Sequence, residues 1–191
     1  MSPRTKAQFD EIREQTVEKI FDSALRLFGT LGYKSTGIAA IAKEAKVSKG
    51  LLYHYFISKE DLLVQLVNSL MDKYTQETQE MDISDPKETL KSLFQMFFRE
   101  VRQNKQQWRL MTNLAIEVNE LSFIRDLAIQ KLSSYLVLFE EVFLELEYTD
   151  PAGEACLLAA LFDGIGIQYY VFDDDAHLKQ LENALVTKYC K

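Results

Sequence analysis

The segment Thr36–Lys59, TGIAAIAKEAKVSKGLLYHYFISK, constrains this chain more than any other, because it reads as two short helices joined by a tight turn. In the first, Ile38, Ile41, Ala42 and Ala45 fall at helical spacing on one face, Lys43, Glu44 and Lys46 point elsewhere, and Thr36 stands where an N-cap hydroxyl belongs. Val47 supplies an apolar plug in the turn, and Ser48 is placed to cap the second helix ahead of Lys49, Gly50 and Leu51. Leu51 and Leu52 then lead into Tyr53, His54, Tyr55 and Phe56, where apolar and hydrogen-bonding groups alternate too densely for all to be buried. Some of them must face out.

A helix offered to the DNA major groove needs small residues near its N-terminus, so that the backbone can approach, and donors that reach phosphates on its flanks. Ser48, Lys49 and Gly50 meet the first need; Tyr53 and His54 can donate to phosphate oxygens, and Lys49 and Lys59 add charge. Ser58 has the character of an N-cap for the next helix, which sets the Lys59 ammonium beside a helix N-terminus where a phosphate is also welcome. With Thr36 and Gly37 at the start of the first helix, and Leu51 and Tyr55 on the second, these residues form the expected DNA-binding set.

The order Phe28, Gly32, Tyr33, Thr36, then Ile41 and Ala42, then Val47, Ser48, Gly50, Leu52, Tyr53, Tyr55, Phe56, Lys59, Glu60 and Leu62 resembles the DNA-binding domain of TetR-family transcriptional regulators, in one ungapped register over roughly Val17 to Leu66. Two positions depart from the family pattern. Gly37 stands where such proteins often carry a side chain that touches DNA, and Leu51 stands where they often have a small or hydroxylated residue, so Leu51 reads bases only by apolar contact, for example with a thymine methyl. The resemblance implies a dimer whose last two long helices pair with those of a second subunit, setting two recognition helices about one DNA turn apart to read a palindrome.

Charge supports a division of labour. The formal charge of −7 resolves into +3 for residues 1–60 and −10 for the remainder, so an acidic body carries a mildly basic head. Three prolines, seven glycines and long helical periodicities imply an all-α fold of about nine helices in 191 residues. Cys156 and Cys190 have neither metal-ligand spacing nor disulfide density, and MSPRTKAQF lacks the apolar core of a signal peptide, so a reducing cytoplasm is expected. The longest apolar run, Leu157 to Phe172, contains Asp163 and Gln168 and reads as a buried helix rather than a membrane span.

Residues 1–60 are expected to form the helix-turn-helix domain and 61–191 a helical effector-binding and dimerisation domain, with the boundary running along the fourth helix. Met1 to about Phe9 reads as a loose arm, followed by a helix from about Asp10 that Gly29 and Gly32 break. Asp85–Pro86 with Glu88, and again Asp150–Pro151, carry the cap-plus-proline signal of helix starts.

In the body, Ala152, Cys156, Ala160 and Gly164 recur at intervals of four, a face that suits close helix-to-helix contact within the subunit or across a dimer. Phe97, Trp108, Met111, Tyr135, Phe139 and Tyr169 are candidate walls of a cavity for a small, apolar or aromatic effector, with Asn113, Glu117 or Asp163 as polar anchors. Asp163 is singled out because a buried carboxylate needs a partner.

The expected function is therefore that of a ligand-responsive transcriptional repressor. It binds double-stranded DNA at a palindromic operator as a homodimer, and a small-molecule effector releases it. An enzyme is disfavoured, since His54 and His177 are the only histidines and no glycine-rich phosphate loop is present. No cofactor, metal or membrane is implied. The rival reading is a helical small-molecule or lipid carrier in which the helix-turn-helix is merely structural.

Overall fold

The computed structural model describes residues 6–79, 85–117 and 122–190, so most of the N-terminal arm lies outside the described residues. Among them are nine helices and no strands: α1 Lys6–Leu31, α2 Ile38–Glu44, α3 Lys49–Tyr55, α4 Lys59–Gln79, α5 Pro86–Gln103, α6 Lys105–Glu117, α7 Ser122–Glu145, α8 Pro151–Phe172 and α9 Asp175–Tyr189. The chain divides into two compact units, Met1–Leu70 and Met71–Lys191, and the division falls within α4.

In the N-terminal unit, Ile20, Ala24 and Phe28 of α1 are wholly buried with Ile41 of α2 and Leu52 of α3. Leu62 and Leu63 of α4 join them, and Phe21 meets Phe56 with ring centroids 5.7 Å apart. Helix α1 starts earlier than its periodicity suggests and runs straight through Gly29. Gly32 ends it, because the chain there takes φ 81°, a left-handed conformation that glycine adopts without a Cβ clash. The turn between α2 and α3 passes through Lys46 at φ 57°, closed by Lys46 N–H to Lys43 O at 3.2 Å and Val47 N–H to Ala42 O at 3.0 Å. This paired closure satisfies the last α2 carbonyls and aims the chain into α3.

Helix starts follow the capping pattern read from the sequence, with two exceptions. Ser48 Oγ accepts from Leu51 N–H at 3.0 Å, Ser58 Oγ from Asp61 N–H at 3.0 Å, and Asp150 Oδ1 from Gly153 N–H at 2.9 Å. Asp85 Oδ1 accepts from Lys87 and Glu88 N–H, but the Glu88 carboxylate pairs with Lys91 Nζ at 3.1 Å. The second exception is Thr36. Gly37 is the N-cap of α2, and Thr36 is 1% exposed, its hydroxyl donating to Gly32 O at 2.8 Å and Leu27 O at 3.2 Å. The hydroxyl serves the C-terminus of α1, whose carbonyls lack intrahelical donors.

The C-terminal unit packs α5 to α9 around Leu90, Phe94, Phe98, Phe143, Leu158 and Leu178. Helix α8 is not the buried helix its composition suggests. By length and composition it is apolar enough to cross a membrane, and Ala155, Leu158, Ile165 and Tyr169 bury one side in the unit's core. Its other side exposes Leu157, Leu161, Ile167 and Val171, because no described element of the unit covers it.

A buried polar network sits where the C-terminal part of α4 meets α5 and α6. Glu100 is 3% exposed and accepts from Tyr74 Oη at 3.2 Å and from Asn104 Nδ2. Gln107 Nε2 donates to Tyr74 Oη at 2.8 Å, and Arg99 Nε lies 3.6 Å from Glu100. Burial, reinforced by the Glu100 charge, pushes the Tyr74 hydroxyl well above its ordinary pKa, so it stays a donor.

Gly166 has a packing reason: a Cβ there would overlap the six-membered ring of Trp108. Gly166→Ala should lower the stability of the C-terminal unit by about 1–3 kcal/mol, the usual cost of overpacking. Urea denaturation followed by the emission of Trp108, the only tryptophan, measures it.

Candidate nucleic-acid interface

Helix α3 divides cleanly into two faces. Leu52 and Phe56 are buried and Tyr55 is half-buried, whereas Lys49, Gly50, Leu51, Tyr53 and His54 face outward, with Tyr53 46% and Leu51 37% exposed. Lys49 Nζ lies 5.8 Å from the Tyr53 ring centroid, one helical turn away, so the ammonium and the phenol are presented together. The His54 ring meets Tyr55 edge-on at 5.4 Å.

Gly50 occupies the middle of the outward face. A Cβ added there would meet only Ser48 Oγ, at an ordinary 3.9 Å. Glycine inside a helix costs about 1 kcal/mol relative to alanine, and nothing within the chain requires it here. Its value lies in what can approach from outside, as a base edge or phosphate must.

The structure departs from the sequence reading at two of the expected DNA contacts. The Thr36 hydroxyl is buried and committed to α1, so it is not on offer to DNA. Lys59 does not project its ammonium: Nζ donates to Tyr33 O at 2.9 Å, Thr36 O at 3.0 Å and Lys34 O at 3.5 Å, and it stands 4.2 Å from the Tyr33 ring centroid. The three donors of an ammonium are thereby aimed at the α1–α2 loop. The sequence pattern showed the cation near a helix start and could not show that three carbonyls converge on it. Gly37 is exposed at the start of α2, as expected, with open space around it.

The candidate effector residues fall into two groups. Phe97, Trp108 and Phe139 converge on Phe162: Phe97 stacks on it at 4.0 Å, Phe139 meets it edge-on at 5.5 Å, and Trp108 meets Phe97 edge-on at 5.7 Å. Tyr135 stacks beside Phe139 at 6.2 Å. Sequence reasoning missed Phe162, whose place inside the α8 apolar run hid its role as hub. It also missed Lys131, whose Nζ stands 5.7 Å from the Tyr135 ring centroid. Tyr169 lies elsewhere, donating to Asp175 at 2.7 Å and lining, with Lys105, Arg109, Tyr170 and Asp173, a surface cavity of about 180 Å³. Met111 and Asn113 are half-buried on α6, and the side chain of Glu117 lies outside the described residues. Asp163 is exposed rather than buried, and its carboxylate acts on Lys131 and Tyr135 of α7. Ala152, Cys156 and Ala160 are exposed on α8, and Gly164 is half-exposed with nothing within 4 Å of an added Cβ.

Residues 20–66 match the model of bacterial regulatory proteins of the tetR family, a span that contains the whole outward face of α3. The N-terminal unit carries the DNA-binding region of the TetR family. The chain is 52% identical over 54 residues to the uncharacterized HTH-type transcriptional regulator YuxN of Bacillus subtilis (strain 168), a match covering 28% of this chain and 19% of that one. To the HTH-type transcriptional regulator HbdR of Aromatoleum sp. (strain CIB) it is 44% identical over 64 residues, 34% of this chain and 28% of that one. The matched region thus spans under a third of these relatives. The backbone is similar to that of a TetR transcription regulator from Haloarcula marismortui ATCC 43049, with a TM-score of 0.79 over 93% of this chain and 97% of that one at 20% identity. That likeness extends the TetR fold to the C-terminal unit.

Two substitutions separate contact from scaffold in this TetR-family head. Gly50→Ala should leave stability equal or raised by up to about 1 kcal/mol while weakening DNA binding at least several-fold, read by thermal melts and fluorescence anisotropy. Lys59→Met should instead lower stability by about 1–3 kcal/mol, read by urea denaturation.

Proposed function

We propose that this protein is a dimeric, cytoplasmic transcriptional regulator that represses by holding a palindromic operator and is released by a small-molecule effector. The observation that carries the DNA reading is the outward face of α3, where a glycine with no internal purpose lies between Lys49, Tyr53 and His54. Lys49 and Leu51 are the residues placed to select sequence, and Tyr53 and His54 those placed to hold phosphates.

The dimer reading draws on α8. Cys156, Leu157, Ala160, Leu161, Gly164, Ile167 and Val171 form a largely apolar or small-residue face, interrupted by Gln168, that no described residue of the unit covers. Gly164, like Gly50, is a helical glycine with open space around it, which favours close approach by a second helix from outside.

In the proposed switch, effector binding favours a conformation of the dimer whose two heads are wrongly spaced for the operator, and by linkage DNA weakens the effector equally. The Tyr74–Glu100–Gln107 network suits the coupling, since Tyr74 belongs to the helix that begins with Lys59 in the head.

Selection of bound fragments from random DNA tests the whole reading. A palindrome should emerge, and affinity for it should fall steeply with salt while its preference over random sequence persists. Fragments without symmetry or preference would favour the carrier alternative. Gly164→Arg places a charge in the α8 face where an isolated subunit has room for it. Sedimentation should show a folded monomer, and operator affinity should fall at least tenfold; an unchanged dimer would remove α8 from the interface.

A further inference from the structure

Two features beside the Phe162 ring cluster are left over by the packing of the unit. Trp108 Nε1 is buried and finds no acceptor among the described residues. Its ring is held against the backbone at Gly166, with no room for a side chain between them. Lys131, on α7, places its Nζ 6.0 Å from the Trp108 ring centroid and 5.7 Å from that of Tyr135, and it forms no ion pair within 4 Å among the described residues. The Trp108 ring thus carries an unpartnered buried N–H, with the Lys131 ammonium over the ring and the Asp163 carboxylate the nearby anion that acts on that ammonium. An orphaned buried N–H is uncommon in folded proteins and is a mark of a ligand or ordered water.

We propose that the effector is an apolar carboxylic acid whose carboxylate is taken by Lys131 Nζ and Trp108 Nε1, its apolar part lying against Tyr135, Phe139 and Phe162. This rests on the reading that the C-terminal unit binds an effector. The ligand's charge follows from what already occupies the rings. Lys131 stands in the position over Trp108 and Tyr135 that a cationic ligand would need, so aromatic faces that otherwise suit a cation are taken. One ammonium and one indole N–H match the two oxygens of a monoanion; Arg109 Nε is also buried without a partner among the described residues, but its guanidinium lies against Tyr170, 5.8 Å from the ring centroid. Burial disfavours the charged form of Lys131 while the Asp163 carboxylate favours it, and a bound anion would favour it further.

The test uses the full-length protein and the emission of Trp108, the only tryptophan. Decanoate and phenylacetate represent chain and aromatic acids; decanol and phenylethanol are the neutral counterparts, and decyltrimethylammonium the cation. At least one acid should saturate the signal and bind at least tenfold more tightly than its alcohol, and which acid does so separates the two sources. Lys131→Met should lose that tenfold preference while keeping alcohol affinity, circular-dichroism melting and operator binding, and Lys131→Arg should retain the preference. Equal affinity for acid and alcohol, or an acid preference untouched by Lys131→Met, would overturn the carboxylate assignment and leave an effector site standing. Tighter binding of the cation would reverse the ligand class. No response to any probe, by emission or by calorimetry, would overturn the site and the assignment together.

Discussion

Every helix end leaves backbone amides or carbonyls without intrahelical partners, and in an all-helical chain the satisfaction of those ends decides where each helix stops and how the next one is aimed. The α1–α2 connection depends on this most. At the end of α1 and along the following loop the backbone supplies few donors, chiefly Gly32 N–H to Phe28 O and Thr36 N–H to Tyr33 O. The Thr36 hydroxyl takes the carbonyls of Leu27 and Gly32, and the Lys59 ammonium takes those of Tyr33, Lys34 and Thr36. A residue from the first turn of α4 therefore fixes the loop that introduces α2. The α2–α3 turn then fixes α3, so the outward face of the recognition helix is set by hydrogen bonds made on the far side of the motif.

The same accounting explains why that outward face is free for function. With Leu52 and Phe56 filling the interior and Ser48 capping the helix, the side chains of Lys49, Leu51, Tyr53 and His54 have no structural duty inside the unit. Gly50 weakens its helix and relieves no internal clash. A position that costs stability without a compensating contact within the chain is where an external partner is expected.

Much of this was legible in the sequence. Apolar periodicity and cap chemistry located the helices closely, including the Asp–Pro starts of α5 and α8, because these signals are local. Three features were not legible, each because it depends on what lies opposite. Thr36 has the chemistry of a cap, and only the fold shows that its hydroxyl turns back to α1. Lys59 reads as a free cation until the loop carbonyls surround it. The α8 run reads as buried because composition measures how apolar a helix is, and not whether a neighbour exists for each face. Phe162 escaped notice for the same reason: one phenylalanine in an apolar run carries no sign that Phe97 and Phe139 will meet on it.

The buried Glu100 network bears on how the proposed effector signal travels. A carboxylate taken from water is tolerated only when hydrogen bonds and nearby cations offset its desolvation. Glu100 meets that condition with Tyr74, Asn104 and Arg99, and Gln107 of α6 completes the link to Tyr74. Trp108 follows Gln107 directly on α6, so the residue whose ring abuts the Phe162 cluster is the sequence neighbour of the residue that holds Tyr74 on α4. A shift of α6 that accommodates a ligand beside Trp108 must either carry Gln107 with it or break its bond to Tyr74. Because a half-satisfied buried network is costlier than a complete one, the first course is favoured, and the Gln107–Tyr74 bond ties α6 to the C-terminal part of α4 within the C-terminal unit.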